Sequence, residues 1–149
     1  MWGVWGKEAL PGAAFCFLRK RGAQKMEGMG YTMLFKTTEQ KSTVRREIQG
    51  GAGEARCLSA IPRGEGPAES RFKMVSRMTL EAGSSIGLHT HEMDEEIYIV
   101  LSGRGIYTDD DGSRREVGPG DVSLTMRGQR HGLEVSQEGP LTLMAVIAE

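Results

Sequence analysis

The segment that decides the fold is residues 83–103, which read GSSIGLHTHEMDEEIYIVLSG. It holds two histidines two positions apart, His89 and His91, followed by a polar turn and an extended apolar run. Side chains two apart in a strand point to the same face, so both imidazoles can approach one ion. Glu95 and Glu96 open the next run, and whichever of them faces inward adds a carboxylate. The segment therefore predicts a metal site on neighbouring strands.

A third histidine, His131, begins a later extended run, behind a turn rich in Gly and Arg. If the strands close into a barrel, His131 can complete the set. Two imidazoles and one carboxylate form the facial arrangement of non-heme iron enzymes, which leaves open positions for oxygen or substrate. Every histidine of the chain belongs to this set, so no Ser-His-Asp or Cys-His arrangement remains for a conventional nucleophile.

From residue 32 onward the chain reads as short extended runs between turn residues, with no helical periodicity of useful length after residue 40. Alternation is clear in residues 72–80, 122–126, 131–135 and 141–147. Asp111-Gly112 favours a tight hairpin turn, because both residues tolerate positive φ. Strands spaced by about eight to twelve residues are typical of a β-sandwich or barrel. The sequence predicts an all-β fold whose interior is lined by Met74, Met78 and Met126.

Composition fits one folded domain and excludes several function classes. The chain has 149 residues, enough for one hydrophobic core, and its 19 basic and 20 acidic residues give a net charge of -1. No charge excess points to nucleic acid or to an anionic membrane. Its 21 glycines predict many tight turns. Cys16 and Cys57 form neither a zinc ribbon nor a disulfide framework, which suits a reducing cytoplasm, and Cys57 is predicted to be a buried small side chain.

Residues 1–32 differ from the rest and are predicted to be an extension to a domain at 33–149. The apolar run 9–18 is too short and too broken to cross a bilayer. Arg19-Lys20-Arg21 stands where a signal peptide would have small residues, so the chain is expected to stay in the cytoplasm. One hypothesis is that the natural start is Met26, Met29 or Met33; the alternative is a flexible tail or an arm that packs on a partner subunit.

Two motifs resemble those of the cupin family. The pattern Gly83-x5-His89-x-His91-x4-Glu96-x6-Gly103 matches the first cupin motif at every defining position, and the distance to Gly103 selects Glu96 rather than Glu95. The second motif is approached by Gly120-x5-Met126-x-Gly128-x2-His131, with Met126 in place of the usual Pro and Val135 in place of the usual Asn. The metal-binding histidine is kept. Together the motifs span about a third of the chain.

The resemblance implies a double-stranded β-helix, a conical jelly-roll barrel that holds one divalent metal through His89, His91, Glu96 and His131. Three imidazoles and a carboxylate suit Fe, Mn, Ni, Co or Zn, with one or two positions left for a ligand. The resemblance also implies a homodimer, and the expected ligand or substrate is a small molecule.

The reaction is less determined than the fold. The leading hypothesis is a metal-dependent oxygenase-type enzyme, followed by a metal-dependent isomerase or lyase. The alternative is a non-catalytic cupin that binds a sugar or an anion, because no separate general acid or base is evident in the sequence. Tyr98 is predicted on the same inward face as Glu96. Arg127 and Arg130 flank the His131 turn, where they could clamp a carboxylate, although a solvated surface position is the simpler interpretation.

Overall fold

The computed structural model describes residues 32–149, so the predictions made for residues 1–31 lie outside the described part of the chain. Single 3-10 turns occupy Thr37–Glu39 and Ile48–Gly50, and no helix within residues 32–149 is long and apolar enough to span a membrane. The strands are β1 (Lys41–Arg46), β2 (Glu54–Ile61), β3 (Phe72–Leu80), β4 (Ser85–Thr90), β5 (Glu95–Ser102), β6 (Gly105–Thr108), β7 (Arg114–Val117), β8 (Val122–Thr125), β9 (Arg130–Val135) and β10 (Leu141–Ala148).

These strands form two antiparallel sheets, which confirms the predicted all-β jelly roll. One sheet has the order β1-β2-β3-β10-β5-β8, and the other has the order β4-β9-β6-β7. Their inner faces supply a common hydrophobic core, whose buried members come from both sheets. The six-stranded sheet is two strands wider than the other, and every residue of β1 is exposed. The inner face of β1 therefore forms an open wall beside the core.

Alternation in β10 predicts its buried face correctly. Leu141, Leu143 and Ala145 are fully buried and Ile147 is 3% exposed, while the residues between them are half-buried. The strand lies between β3 and β5 in the wider sheet, so it has hydrogen-bonded neighbours on both sides. Branched and small apolar side chains at every second position fill a half-buried, pleated surface well. This strand is a central part of the core.

The prediction that Met126 lines the barrel is wrong. Val122, Leu124 and Met126 are 63%, 55% and 50% exposed, and the inward positions of β8 are polar. Thr125 is 2% exposed, and its hydroxyl lies 3.0 Å from the hydroxyl of Tyr107. Period-two alternation separates two faces of a strand but does not say which one is buried. Here a hydrogen bond holds the polar face inside, at the edge of the sheet.

A hairpin joins β6 to β7 at the predicted place, but its loop is longer than the tight turn expected from Asp111-Gly112. Five residues, 109–113, connect the strands, and Asp109 N–H donates to the carbonyl of Ser113 at 2.9 Å. Gly112 has a φ of +81°, and Asp111 does not share its positive φ. Only the glycine uses the left-handed region here, which L residues with a side chain rarely adopt.

Two glycines within residues 83–103, Gly87 and the motif residue Gly103, are required by close backbone contacts. A Cβ on Gly87 would lie 2.1 Å from the carbonyl oxygen of Gln49, so only glycine lets the turn at 48–50 rest on β4. Gly103 has a φ of +83°, and a Cβ there would lie 2.2 Å from the carbonyl oxygen of Pro140. Because Gly87 precedes His89 by two residues, the first contact supports the strand that carries this predicted ligand.

Candidate metal centre

Four side chains converge inside the molecule, and they are the four predicted from the sequence. One donor atom from each of His89, His91, Glu96 and His131 lies within 4.8 Å of the other three. Nε2 of His91 and Nε2 of His131 are 3.1 Å apart, and they lie 3.2 and 3.0 Å from Oε2 of Glu96. His91, Glu96 and His131 are buried, and His89 is half-buried. The cluster thus has three enclosed donors and one at its rim.

Strand pairing brings these residues together across the chain. His89 lies in β4 directly opposite His131 in the antiparallel partner β9, and His91 follows the end of β4. Glu96 comes from β5 of the other sheet, so the cluster spans the gap between the sheets. A register shift lies between Ile86 and His89. His89 and His91 still converge although the second of them lies beyond the strand.

Two of the imidazoles are oriented by partners outside the cluster. Nδ1 of His89 donates to the carbonyl oxygen of Gly87 at 2.9 Å. Nδ1 of His91 donates to Oδ1 of Asp94 at 2.7 Å, and Oδ2 of Asp94 accepts from Nη2 of Arg63 at 2.8 Å. An N–H bond at Nδ1 leaves the lone pair on Nε2, the nitrogen that faces the cluster. Such outer partners commonly fix metal-binding histidines.

The third imidazole is held by a chain of hydroxyl groups. Nδ1 of His131 lies 3.3 Å from the hydroxyl of Tyr107, which lies 3.0 Å from the hydroxyl of Thr125. His131 is fully buried, so a donor without a partner would be costly there. This contact explains why the polar face of β8 points into the interior. All three imidazoles therefore have Nδ1 in a polar contact outside the cluster, and Nε2 of His91 and of His131 faces the cluster.

The carboxylate of the cluster is held in its charged form. Burial alone would raise the pKa of Glu96, but hydrogen bonds from His131 and His91 outweigh it and lower the pKa to about 2. The bond to Glu96 raises the pKa of His91, against the opposing effect of burial. Burial lowers the pKa of His89. The anion at this depth needs a positive neighbour, which a protonated imidazole or a metal ion can supply.

The geometry fits a single metal ion. Two ligand atoms bonded at about 2.1 Å and at right angles lie about 3.0 Å apart, close to the spacing of the three buried donors. Imidazole nitrogens and a carboxylate suit Zn, Ni, Co, Fe and Mn, and the set does not select one of them. His89, His91, Glu96 and His131 could therefore hold one divalent transition metal.

A cavity of about 390 Å³ opens onto the cluster. His89, His91 and Glu96 form one wall, Tyr98 stands beside them, and Arg45 and Arg63 lie in the lining. We call this space the metal cavity. Tyr98 is buried as predicted, and both burial and the nearby Glu96 charge raise the pKa of its hydroxyl, which stays neutral.

Arg127 and Arg130 are both exposed, as the simpler interpretation predicted, and neither lines this cavity. Nη2 of Arg127 donates to the carbonyl of Met93 at 2.6 Å, and Arg130 bonds to Asp110. The cavity instead has Arg45 and Arg63 in its wall. Neither was predicted from the sequence, because both come from parts of the chain with no motif and reach the cavity only through the fold. For Asp94 a local signal exists, since it follows His91 by three residues within the turn.

The role of the hydrogen bond between Asp94 and Nδ1 of His91 can be tested by substitution. Replacing Asp94 with alanine removes the acceptor of His91 Nδ1, so we expect metal affinity to fall about 10- to 100-fold. Competition titration against a chelating dye measures the change. Asp111→Ala, at an exposed carboxylate in the loop between β6 and β7, is the matched control and should bind like the wild type. Equal affinity for Asp94→Ala and the wild type would show that the contact has no role in metal binding.

Two facing antiparallel sheets around an inward cluster of three histidines and a glutamate define a small jelly-roll protein with a candidate metal centre. The chain belongs to the cupin family. A family model described as Cupin domain matches residues 76–147, which include all four cluster residues. The resemblance predicted from the two motifs is thereby confirmed.

Similar proteins extend over most of the chain. The oxalate-binding protein of Thermotoga maritima is 32% identical over 121 residues, which are 81% of this chain and 96% of that protein. A solved structure from Thermotoga maritima, described as a predicted oxalate decarboxylase, aligns with a TM-score of 0.67 and 31% identity over 78% of this chain and 98% of that one. The polyketide cyclase of Streptomyces resistomycificus aligns with a TM-score of 0.62 and 22% identity over 79% and 80% of the chains, which supports the fold alone.

Proposed function

We propose that this protein is a metal-dependent cupin that binds a small carboxylate in the metal cavity. The observation that carries the proposal is the convergence of three Nε2 atoms and the Glu96 carboxylate, with Nδ1 of each imidazole already engaged. When bound, a divalent ion supplies a Lewis acid with open positions for an anionic ligand. The relatives named for oxalate support a carboxylate ligand.

The cavity wall carries Glu92, Asp94 and Glu96 as well as two arginines, and one of these arginines is available to an anion. Arg63 is paired with Asp94, whereas Arg45 forms no ion pair with any group in residues 32–149. A guanidinium group presents a rigid fork of donors that matches a carboxylate. Arg45 would bind the carboxylate and hold it toward the cluster.

Oxalate titration of the metal-loaded protein tests this proposal. We expect saturable binding with one site per chain, which disappears when a chelator removes the metal. Arg45→Gln should weaken oxalate binding about tenfold or more, because a hydrogen bond to a charged group is lost. Arg46→Gln is the matched control, since Arg46 follows on the same strand and is paired with Glu54. Binding that survives chelation, or no binding at all, would contradict the proposal.

Turnover distinguishes the remaining hypotheses. The predicted oxygenase has support in the donor set alone, which suits a redox-active ion. Oxygen uptake by the metal-loaded protein would support it, and release of carbon dioxide and formate from oxalate without oxygen uptake would support a lyase instead. Saturable binding without either product would favour the non-catalytic alternative. The homodimer and the cytoplasmic location stay predictions of the sequence analysis.

A further inference from the structure

A second cavity of about 180 Å³ adjoins the metal cavity on the inner face of β1, β2 and β3. We call it the side cavity. Four side chains line both spaces: Arg45, Arg63, Met74 and Met78. It lies on the part of the wide sheet that extends beyond its partner, where β1 is exposed. The metal cavity therefore has a neighbouring space that is open to solvent and shares its wall.

The polar groups of the side cavity are largely paired already. The hydroxyls of Ser59 and Ser76 lie 2.9 Å apart, and Lys41 is bonded to Glu65. The floor is apolar, since Cys57, Met74 and Met78 are each at most 6% exposed. The side cavity therefore favours an apolar ligand group, because its polar groups are largely paired and its floor consists of methionine and cysteine side chains.

Arg45 stands at the boundary of the two spaces. Its positive charge opposes the rise in pKa that burial causes at Tyr98, in the metal cavity, and at Cys57, in the side cavity. It forms no ion pair within residues 32–149. An anionic group near Arg45 would thus have the metal cluster on one side and an apolar floor on the other.

Size also argues for a larger ligand than a two-carbon dianion. Oxalate has only two carbons, and it is small beside a metal cavity of about 390 Å³ and a side cavity of about 180 Å³. A ligand that fills both spaces needs a carboxylate end and an extended apolar part.

From these observations we infer that the protein takes a carboxylate with a short aliphatic chain, its charged end in the metal cavity near Arg45 and its chain in the side cavity over Met74, Met78 and Cys57. The inference rests on the proposed function, because the charged end uses the same metal centre. A 2-oxo acid of this kind offers the same pair of adjacent oxygens as oxalate and adds the chain.

Chain length is the variable that tests the inference. Metal-loaded protein is titrated calorimetrically with oxalate, pyruvate, 2-oxobutanoate, 2-oxopentanoate and 2-oxohexanoate. Each added methylene that enters an apolar space should tighten binding about three- to fourfold. If the protein binds oxalate but its affinity for the 2-oxo acids does not increase with chain length, the inference is overturned and the proposed function stands. Failure to bind oxalate and all of the 2-oxo acids overturns both.

A substitution at the rim of the side cavity tests whether the aliphatic chain of the ligand lies there. Thr43 is exposed and lines the side cavity, so Thr43→Trp should fill that space without disturbing the core. In this variant we expect the affinity for the 2-oxo acids to stop increasing with chain length. The affinity for oxalate should stay within about twofold of the wild-type value. Val44→Trp is the matched control, because Val44 is 55% exposed and lies on the other face of the same strand. A series that stays equally steep in Thr43→Trp would overturn the assignment of the side cavity.

Discussion

Replacing His89 with alanine is expected to abolish stoichiometric metal binding while the fold is retained. His89 supplies one of four donors, and it is the one member of the cluster that is not buried. Loss of an outer partner alone commonly costs 10- to 100-fold in affinity, so loss of a direct ligand should cost at least about 100-fold. Elemental analysis of the purified protein, together with a metal titration, measures the change.

The same variant should lose the stabilisation that metal gives to the folded chain. Metal at 100 times its dissociation constant stabilises a native protein by about 2.7 kcal/mol, so the wild type should melt at a higher temperature when metal is added. His89→Ala should show no such rise. Thr90→Ala, at the exposed residue next to His89, is the control and should behave as the wild type does. Unchanged metal content and an unchanged melting response in His89→Ala would contradict the ligand assignment.

The second large effect concerns the core, where Leu143→Ala should destabilise the protein by about 2–5 kcal/mol. Leu143 is fully buried in β10 and lies opposite Met78 of β3 and Val100 of β5. Removing its side chain leaves a cavity between strands that are fixed by hydrogen bonds on both sides. Since small domains have a total stability of about 5–15 kcal/mol, the urea midpoint of the metal-free protein should fall strongly.

Leu124→Ala is the matched control for this prediction. The same atoms are removed, but Leu124 is 55% exposed on the outer face of β8, and we expect a change within about 0.5 kcal/mol. Equal effects at the two positions would contradict the burial pattern of the two sheets, because the cost of the substitution depends on the cavity that it leaves.

The fold and the cluster could be predicted because their signals are local. His89, His91 and Glu96 fall within one short segment, and the resemblance to the cupin motif selected Glu96 over Glu95 where strand alternation left both open. The structure explains part of the motif, since Gly103 is held at positive φ against the backbone of Pro140. His131 was predictable through the second motif even though Met126 and Val135 depart from the usual residues.

What the sequence did not predict depends on contacts between distant segments. The inward face of β8 is polar because Thr125 reaches Tyr107 and, through it, His131, so alternation in Val122, Leu124 and Met126 gave the wrong face. Arg45 and Arg63 reach the cavity from strands and loops that lie far from the histidines in the chain. Neither arginine belongs to a motif, so nothing in the sequence distinguishes it from a surface arginine.

Anomalous diffraction from crystals of the metal-loaded protein would locate the ion and its ligands. We predict one anomalous peak per chain, about 2.0–2.2 Å from Nε2 of His89, His91 and His131 and from a carboxylate oxygen of Glu96. A peak bound by other residues, a Glu96 side chain turned away from the ion, or no peak at all between the two sheets would contradict it.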